Sequence, residues 1–260
     1  MTRSFITVLG LLTILATASA KELLFSVDQL LLDGVVGVVE ILPGSGAETR
    51  VDVLEPSDFK GRLKLETVGA TLRIKGLSSR SGHSSQISTG SIVNIAEGPG
   101  SVSVVNIGGN GVSANDPPIR LSIALARGRD VEFQGLVGDV TIGSIDGALR
   151  GEASGAYRIR AQGIRGIFLR MTGSGTLEIE KIQGDVQLQA EGSSETVIRQ
   201  GDIGNLSIVA SGASVIRIAP LARTAKVEAS GASEVFLRQG AGPPPQLKQS
   251  GAAEIRVGSW

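Results

Sequence analysis

The chain has 260 residues, with 25 lysines and arginines, 25 aspartates and glutamates, one histidine and no cysteine. A formal net charge of zero gives no electrostatic basis for binding nucleic acid or acidic lipid. The lack of cysteine excludes disulfides, thiolate metal sites and a lipid-modified cysteine, and an aromatic content of 3% leaves few rings for stacking sugars or bases.

The first twenty residues predict a secretory signal peptide. Arg3 precedes an apolar stretch from Phe5 to Leu15, and an Ala-x-Ala sequence follows at Ala18 and Ala20. A basic start, a short apolar core and an Ala-x-Ala end are the three parts of such a peptide, so we expect cleavage after Ala20. A membrane span is the alternative, but it needs roughly 18 apolar residues, and no later segment reaches that length either.

Residues 21–118 predict short strands in a less regular arrangement. Alternating apolar residues occur at 23–32, 35–42, 51–53, 63–65, 72–74, 92–95 and 102–104. We interpret these as irregular first rungs and an end cap of one solenoid, since terminal repeats are commonly atypical. The Ser- and Gly-rich segment 76–91, which contains the lone His83, reads as an exposed loop, and so does the segment 108–118. A single loop histidine without carboxylates or a second ligand is expected to be surface rather than a general base.

Residues 119–260 form the regular repeats, and from residue 151 to the end a Ser-Gly-Ala-like phrase recurs at a regular spacing. Its central glycines are separated by 18, 19, 20, 19 and 20 residues, and they are Gly155, Gly173, Gly192, Gly212, Gly231 and Gly251. Alternating apolar residues on both sides of each glycine predict two short strands per repeat, and neither a helical stripe nor a leucine-rich frame is present. The sequence therefore predicts an all-β parallel β-helix, expected to be right-handed, with rungs of about 19–20 residues. It forms one domain over 21–260, in which the glycines occupy left-handed turn positions.

The repeats resemble a known family. The run from Thr172 to Ile179, the Ser-Gly-Ala turns, and the Gly-Asp-Val or Gly-Asp-Ile steps at 138–140, 184–186 and 201–203 are similar to the head GIN domain of putative auto-transporter adhesins. The resemblance covers about Ile119 to Val257. It implies a signal peptide, a β-helix of this length and an adhesin-like role in the periplasm or at the surface of a diderm bacterium. The chain departs from the family where several turns carry Ala instead of Ser-Gly-Asp.

An enzymatic alternative depends on four aspartates at turn-like positions, Asp139, Asp146, Asp185 and Asp202. Two carboxylates about 5–9 Å apart can serve as acid and base in glycoside hydrolysis, and many β-helix proteins cleave acidic polysaccharides. Adjacent rungs lie only about 4.8 Å apart, however. Solvated turn aspartates on neighbouring rungs can therefore have carboxylates about 5–9 Å apart without any catalytic role. We expect neither catalytic residues nor a metal site, because no loop supplies the six to eight oxygens that Ca²⁺ requires.

No cofactor site is predicted either. The glycine clusters at 44–46, 108–111 and 173–175 neither open a helix nor carry a P-loop lysine, so we interpret them as turns.

The favoured function is that of an exported structural or surface-interaction module. Binding would use outward side chains of successive repeats, and the predicted binding face consists of Arg158, Arg170, Arg217 and Arg238. The expected partner is a glycan or a protein of the cell envelope or its exterior.

Overall fold

A computed structural model of the chain describes residues 21–55, 63–76, 93–94, 103–107, 119–238 and 243–258. This part of the chain is all-β and contains no helix. Its strands are β1 (Lys21–Phe25), β2 (Gln29–Asp33), β3 (Val36–Pro43), β4 (Thr49–Glu55), β5 (Leu63–Val68), β6 (Thr71–Gly76), β7 (Val93–Asn94), β8 (Ser103–Ile107), β9 (Ile119–Leu125), β10 (Asp130–Ser144), β11 (Ala148–Ile164), β12 (Gly166–Ala210), β13 (Val215–Ile218), β14 (Leu221–Ala229), β15 (Glu234–Arg238), β16 (Gln246–Gln249) and β17 (Glu254–Gly258). Consequently, a membrane-crossing helix is not found among these residues.

Successive repeats pair in parallel, one repeat apart. β10 pairs with β11 from Val131 opposite Leu149, and β11 pairs with β12 from Ala148 opposite Gly166. Further along the chain, β13, β15 and β17 pair in series, and so do the end of β12, β14 and β16. Each repeat therefore contributes one strand to each of two faces. Face 1 follows the recurring glycine and ends with β13, β15 and β17, whereas face 2 precedes the glycine and ends with β14 and β16.

The N-terminal rungs are assembled from segments far apart in the sequence. β10 pairs in parallel with both β2 and β3, so residues 29–43 form the rung directly below residues 130–142. The next rung combines β6, which pairs with β2, and β9, which pairs with β3. The chain thus leaves the stack after β3, supplies two separate strands to an outer rung, and returns at β10.

Antiparallel strands cover the N-terminal end of the stack. β4 pairs with β9, β1 with β4, β5 with β6, and β8 with β5, all in antiparallel register. An antiparallel strand ends the parallel ladder and forms hydrogen bonds with the N–H and C=O groups at its edge. Without such a strand, these groups could pair with a strand of another chain. β7 extends this cap by pairing with β8.

The core is a column of aliphatic side chains enclosed by the two faces. Inward positions carry Ile, Leu and Val that are almost completely buried, and outward positions alternate with them along each strand. Period-two alternation places every second side chain inside, which is why the sequence pattern predicts the buried set. The largest completely buried side chain of this core is Phe133 on β10.

The recurring glycines stack on one another at the turn from face 2 to face 1. Gly155 is the register partner of Gly173, and all six central glycines have positive φ, between 70° and 99°. A Cβ added at Gly192 would lie 2.5 Å from the carbonyl oxygen of Gly173. Both the backbone conformation and the close approach of neighbouring rungs therefore favour glycine here. Main-chain bonds join the turns, for example from the N–H of Ala213 to the carbonyl of Gly192 at 2.8 Å.

Candidate functional site

The candidate site is a shallow groove of about 800 Å³ on face 1, beside the glycine turn. Five successive rungs line it, because equivalent residues of neighbouring repeats stand side by side in the parallel register. Counted from the central glycine of each repeat, the first, second and third residues form most of the lining, and Arg217 is a fifth residue. They include Asp139, Tyr157, Arg158, Ser174, Thr176, Ser193, Ser194, Glu195, Val215 and Arg217.

Two arginine–carboxylate pairs cross between rungs in this groove. Arg158 Nη1 lies 3.6 Å from Asp139 Oδ1, and Arg217 Nη1 lies 2.5 Å from Glu195 Oε1. All four side chains are well exposed, so each pair contributes at most about 1 kcal/mol to stability. The groove thus presents both signs of charge within reach of a polar ligand.

Buried hydroxyls lie at the floor of the groove. The hydroxyl oxygens of Tyr157, Thr176 and Ser194 are buried without a well-oriented hydrogen-bond partner among the described residues. Tyr157 is only 5% exposed and Ser194 only 4%. Burial raises the pKa of Tyr157, and the neighbouring Ser194 side chain lowers it in part. Buried polar groups normally have partners, so three buried hydroxyls at one place, whose best available contact is the one between Tyr157 and Ser194, distinguish this groove within the described surface.

The serines of the turn show why other repeats lack such free hydroxyls. Ser214 donates its Oγ hydrogen to the carbonyl of Ser211 at 2.7 Å, and Ser233 donates to that of Ser230 at 2.8 Å. Both donors are completely buried. In two of the six turns, 211–214 and 230–233, the phrase is therefore Ser-Gly-Ala-Ser, and its fourth residue closes the turn. Sequence reasoning stopped at the third residue, although the fourth serine repeats visibly after Ala213 and Ala232.

The groove contains two of the four predicted binding arginines, Arg158 and Arg217. Arg170 lies on face 2, where its Nη2 is 3.1 Å from Glu191 Oε2. Arg238 borders a separate cavity of about 300 Å³ near the C-terminal rungs, together with Leu237 and the prolines at 243–245. The structure therefore brings together one pair of these arginines and places the other two elsewhere.

The four predicted aspartates do not share one site. Asp139 lies in the groove, Asp146 pairs with Arg165 at 3.6 Å, and Asp202 pairs with Arg223 at 3.4 Å. Asp185 accepts the backbone N–H of the residue one rung on, Asn205, at 2.9 Å, and Asn205 in turn accepts a hydrogen bond from Thr224. Each of the four thus contacts a residue one rung away, Asp139 through Arg158, and only Asp146 lies outside a strand.

The groove also lacks the spacing of an acid–base pair. Its two carboxylates, Asp139 and Glu195, come from rungs that are three steps apart, which corresponds to roughly 14 Å at the strand spacing of a sheet. Glycosidases hold their two carboxyl groups about 5–9.5 Å apart. Across the described ranges, no three His, Asp or Glu side chains gather where they could hold a metal ion.

Several predicted residues lie outside the described part of the chain. These are Ala18 and Ala20 of the predicted cleavage site, His83, and the glycine cluster at 108–111. Their roles remain predictions.

No protein-family model matches the chain, and no curated protein matches it. Among solved structures it is similar to a putative adhesin from Parabacteroides merdae, at 11% identity and a TM-score of 0.47, covering 93% of this chain and 96% of that one. It is also similar to a putative cell adhesion protein from Clostridium sporogenes, at 12% identity and a TM-score of 0.33, covering 92% and 99%. A putative adhesin from Bacteroides fragilis matches at 12% identity and a TM-score of 0.30, covering 94% and 98%. Identities and TM-scores this low define neither a family nor a function.

Proposed function

We propose that this chain is an exported, non-catalytic β-helix protein that acts as a surface-interaction module, resembling the head GIN adhesins. The signal-peptide pattern ending at Ala18 and Ala20 supports export, to the periplasm or surface of a diderm bacterium. Parallel pairing of successive repeats at offsets of 18–20 residues supports the β-helix, which we take to be right-handed.

The groove on face 1 carries the functional part of the proposal. It combines three buried hydroxyls without good partners and two exposed arginine–carboxylate pairs in one shallow surface. The exposed arginine–carboxylate pairs can recognise polar ligands through directional hydrogen bonds, and a shallow groove fits a polymer or a protein surface. The partner we propose is accordingly a glycan or a protein of the cell envelope or its exterior.

The test is a binding screen of the purified protein against glycans and extracellular-matrix proteins. For any ligand found, Arg158→Ser and Arg217→Ser should each weaken binding, because both side chains line the groove. Arg170→Ser is the matched control, since this arginine has the same type of carboxylate partner but lies on the other face. Equal losses for all three variants would place binding elsewhere.

The same preparation tests the non-catalytic part of the proposal. We expect no turnover of pectin-like, alginate-like or glycosaminoglycan substrates, with or without Ca²⁺. Cleavage that disappears in Asp139→Asn but persists in Asp202→Asn would refute the proposal and assign a catalytic role to the groove.

A further inference from the structure

The last rung that the structure describes exposes side chains that are buried in every earlier repeat. Leu247 on β16 is 46% exposed, whereas Val227, its register partner one rung before, is completely buried. On β17, Ile255 and Val257 are only partly buried, although they pair with the buried Val235 and Leu237. Among the residues that the structure describes, the core is therefore open at this end.

The strands of this rung also have outer edges that pair with no described strand, although the side-chain Oε1 of Gln249 accepts the edge N–H of Ile255 at 3.3 Å. Within the described residues, β16 pairs with β14 and β17 pairs with β15, and no strand pairs with their other edges. The opposite end of the molecule differs, because antiparallel strands such as β4 and β5 cover it. A free edge is a template for another strand, so association at the open end is favoured while the capped end remains closed.

The sequence of β17 is complementary to itself in antiparallel register. Within one chain, Arg256 Nε lies 2.5 Å from Glu254 Oε1. If two copies of β17 pair about Ile255, Glu254 of each copy also faces Arg256 of the other on the outer surface. On the inner surface Ile255 faces Ile255, and Ala253 faces Val257, so the two cores become continuous. Moving the centre of this pairing by one residue would instead oppose two glutamates or two arginines. Opposite charges across a strand pair stabilise it and like charges destabilise it, which selects the register centred on Ile255.

We propose that two copies of this chain associate end to end through β16 and β17, with β17 of one copy antiparallel to β17 of the other. The two-fold axis passes through both faces, so the exposed Leu247 of each copy is covered in the same contact. Because each contact uses the same surface of both copies and the far ends are capped, the assembly stops at a dimer.

The test is the mass of the purified protein in solution, measured by sedimentation or light scattering over a range of concentrations. The expected result is a dimer. Arg256→Glu and Glu254→Arg should each raise the Kd for dimerisation roughly tenfold or more, because each opposes like charges at two places in the contact. Mixing the two variants should restore the dimer, since every arginine then faces a glutamate.

Glu234→Arg is the matched control, because Glu234 occupies the equivalent outward position one rung earlier, opposite Glu254 in the parallel register. It changes the net charge by the same amount as Glu254→Arg and should leave the dimer intact. A parent protein that stays monomeric up to about 0.1 mM, far above the Kd of a micromolar contact, would overturn the proposal. Variants that dimerise like the parent, or a mixture that fails to recover the dimer, would overturn it as well.

Discussion

Replacing a stacked turn glycine with alanine should destabilise the protein by more than its backbone conformation alone requires. Gly192 has a φ of 99°, and a left-handed conformation costs an alanine about 1–2 kcal/mol. The added Cβ would also lie 2.5 Å from the Gly173 oxygen, which belongs to backbone and cannot move without separating two rungs. Overpacking of this kind costs about 1–3 kcal/mol more. We therefore expect Gly192→Ala to lower the free energy of unfolding by at least about 2 kcal/mol.

Gly128 provides the control for the backbone contribution. Its φ is 71°, and nothing lies within 4 Å of an added Cβ, so Gly128→Ala should show the conformational cost alone. Gly251 is intermediate, because its added Cβ would lie 3.2 Å from the oxygen of Gly231. The free energies of unfolding are measured by urea denaturation, with the m-value checked for each variant. The order should be Gly192→Ala worst, then Gly251→Ala, then Gly128→Ala. A Gly192→Ala variant no less stable than Gly128→Ala would show that the rungs do not approach as closely as described.

Two further predictions concern buried hydroxyls. Ser214→Ala should lower the free energy of unfolding, measured in urea, by about 1 kcal/mol, because it removes one buried hydrogen bond. The smaller side chain should fit, since the equivalent position two repeats later is Ala253. An unchanged free energy of unfolding would mean that the fourth residue does not close the turn. Tyr157 is the only tyrosine, so the phenolate absorbance reports it alone, and we expect its pKa above the ordinary value of 10.0. Since the folded state then holds the proton more tightly than the unfolded state, stability should be fully present below pH 10 and fall as the pH rises through the folded pKa. An ordinary midpoint would indicate that the hydroxyl is solvated.

The regular half of the fold could be predicted because its pairing is local. Each strand meets the strand one repeat later, so the spacing of the glycines from Gly155 to Gly251 gives the register directly. The N-terminal half could not be predicted in this way. Asp130 pairs with Gln29, which lies 101 residues earlier, and no repeated phrase connects the two segments. Alternation predicted strands at these places, but it contains no information on which strand each would meet.

The face and rung position of each arginine could be predicted from the sequence. Grouping the four arginines only because they are arginines ignored their different positions in the repeat. Counted from the central glycine of its own repeat, Arg158 is the third residue, Arg217 the fifth and Arg238 the seventh, whereas Arg170 precedes its glycine by three. Residues align across rungs only when these offsets agree. The groove was less accessible, because its unpaired hydroxyls depend on Tyr157 reaching over Gly175 towards Ser194, a contact that no spacing rule contains.

The same offsets explain why face 1 is not a basic stripe. The column at the fifth position reads Arg160, Glu178, Val197, Arg217, Phe236 and Arg256 from rung to rung. Charges of opposite sign follow one another in part of this column. Phe236 lies between Arg217 and Arg256, whose guanidinium carbons are 5.6 and 5.4 Å from the centre of its ring. Because neighbouring charges compensate one another, long-range attraction of a charged polymer would be weak at this face. Binding in the groove should therefore depend on short-range hydrogen bonds and change little with salt concentration, whereas binding driven by a basic stripe would weaken steeply as salt is added.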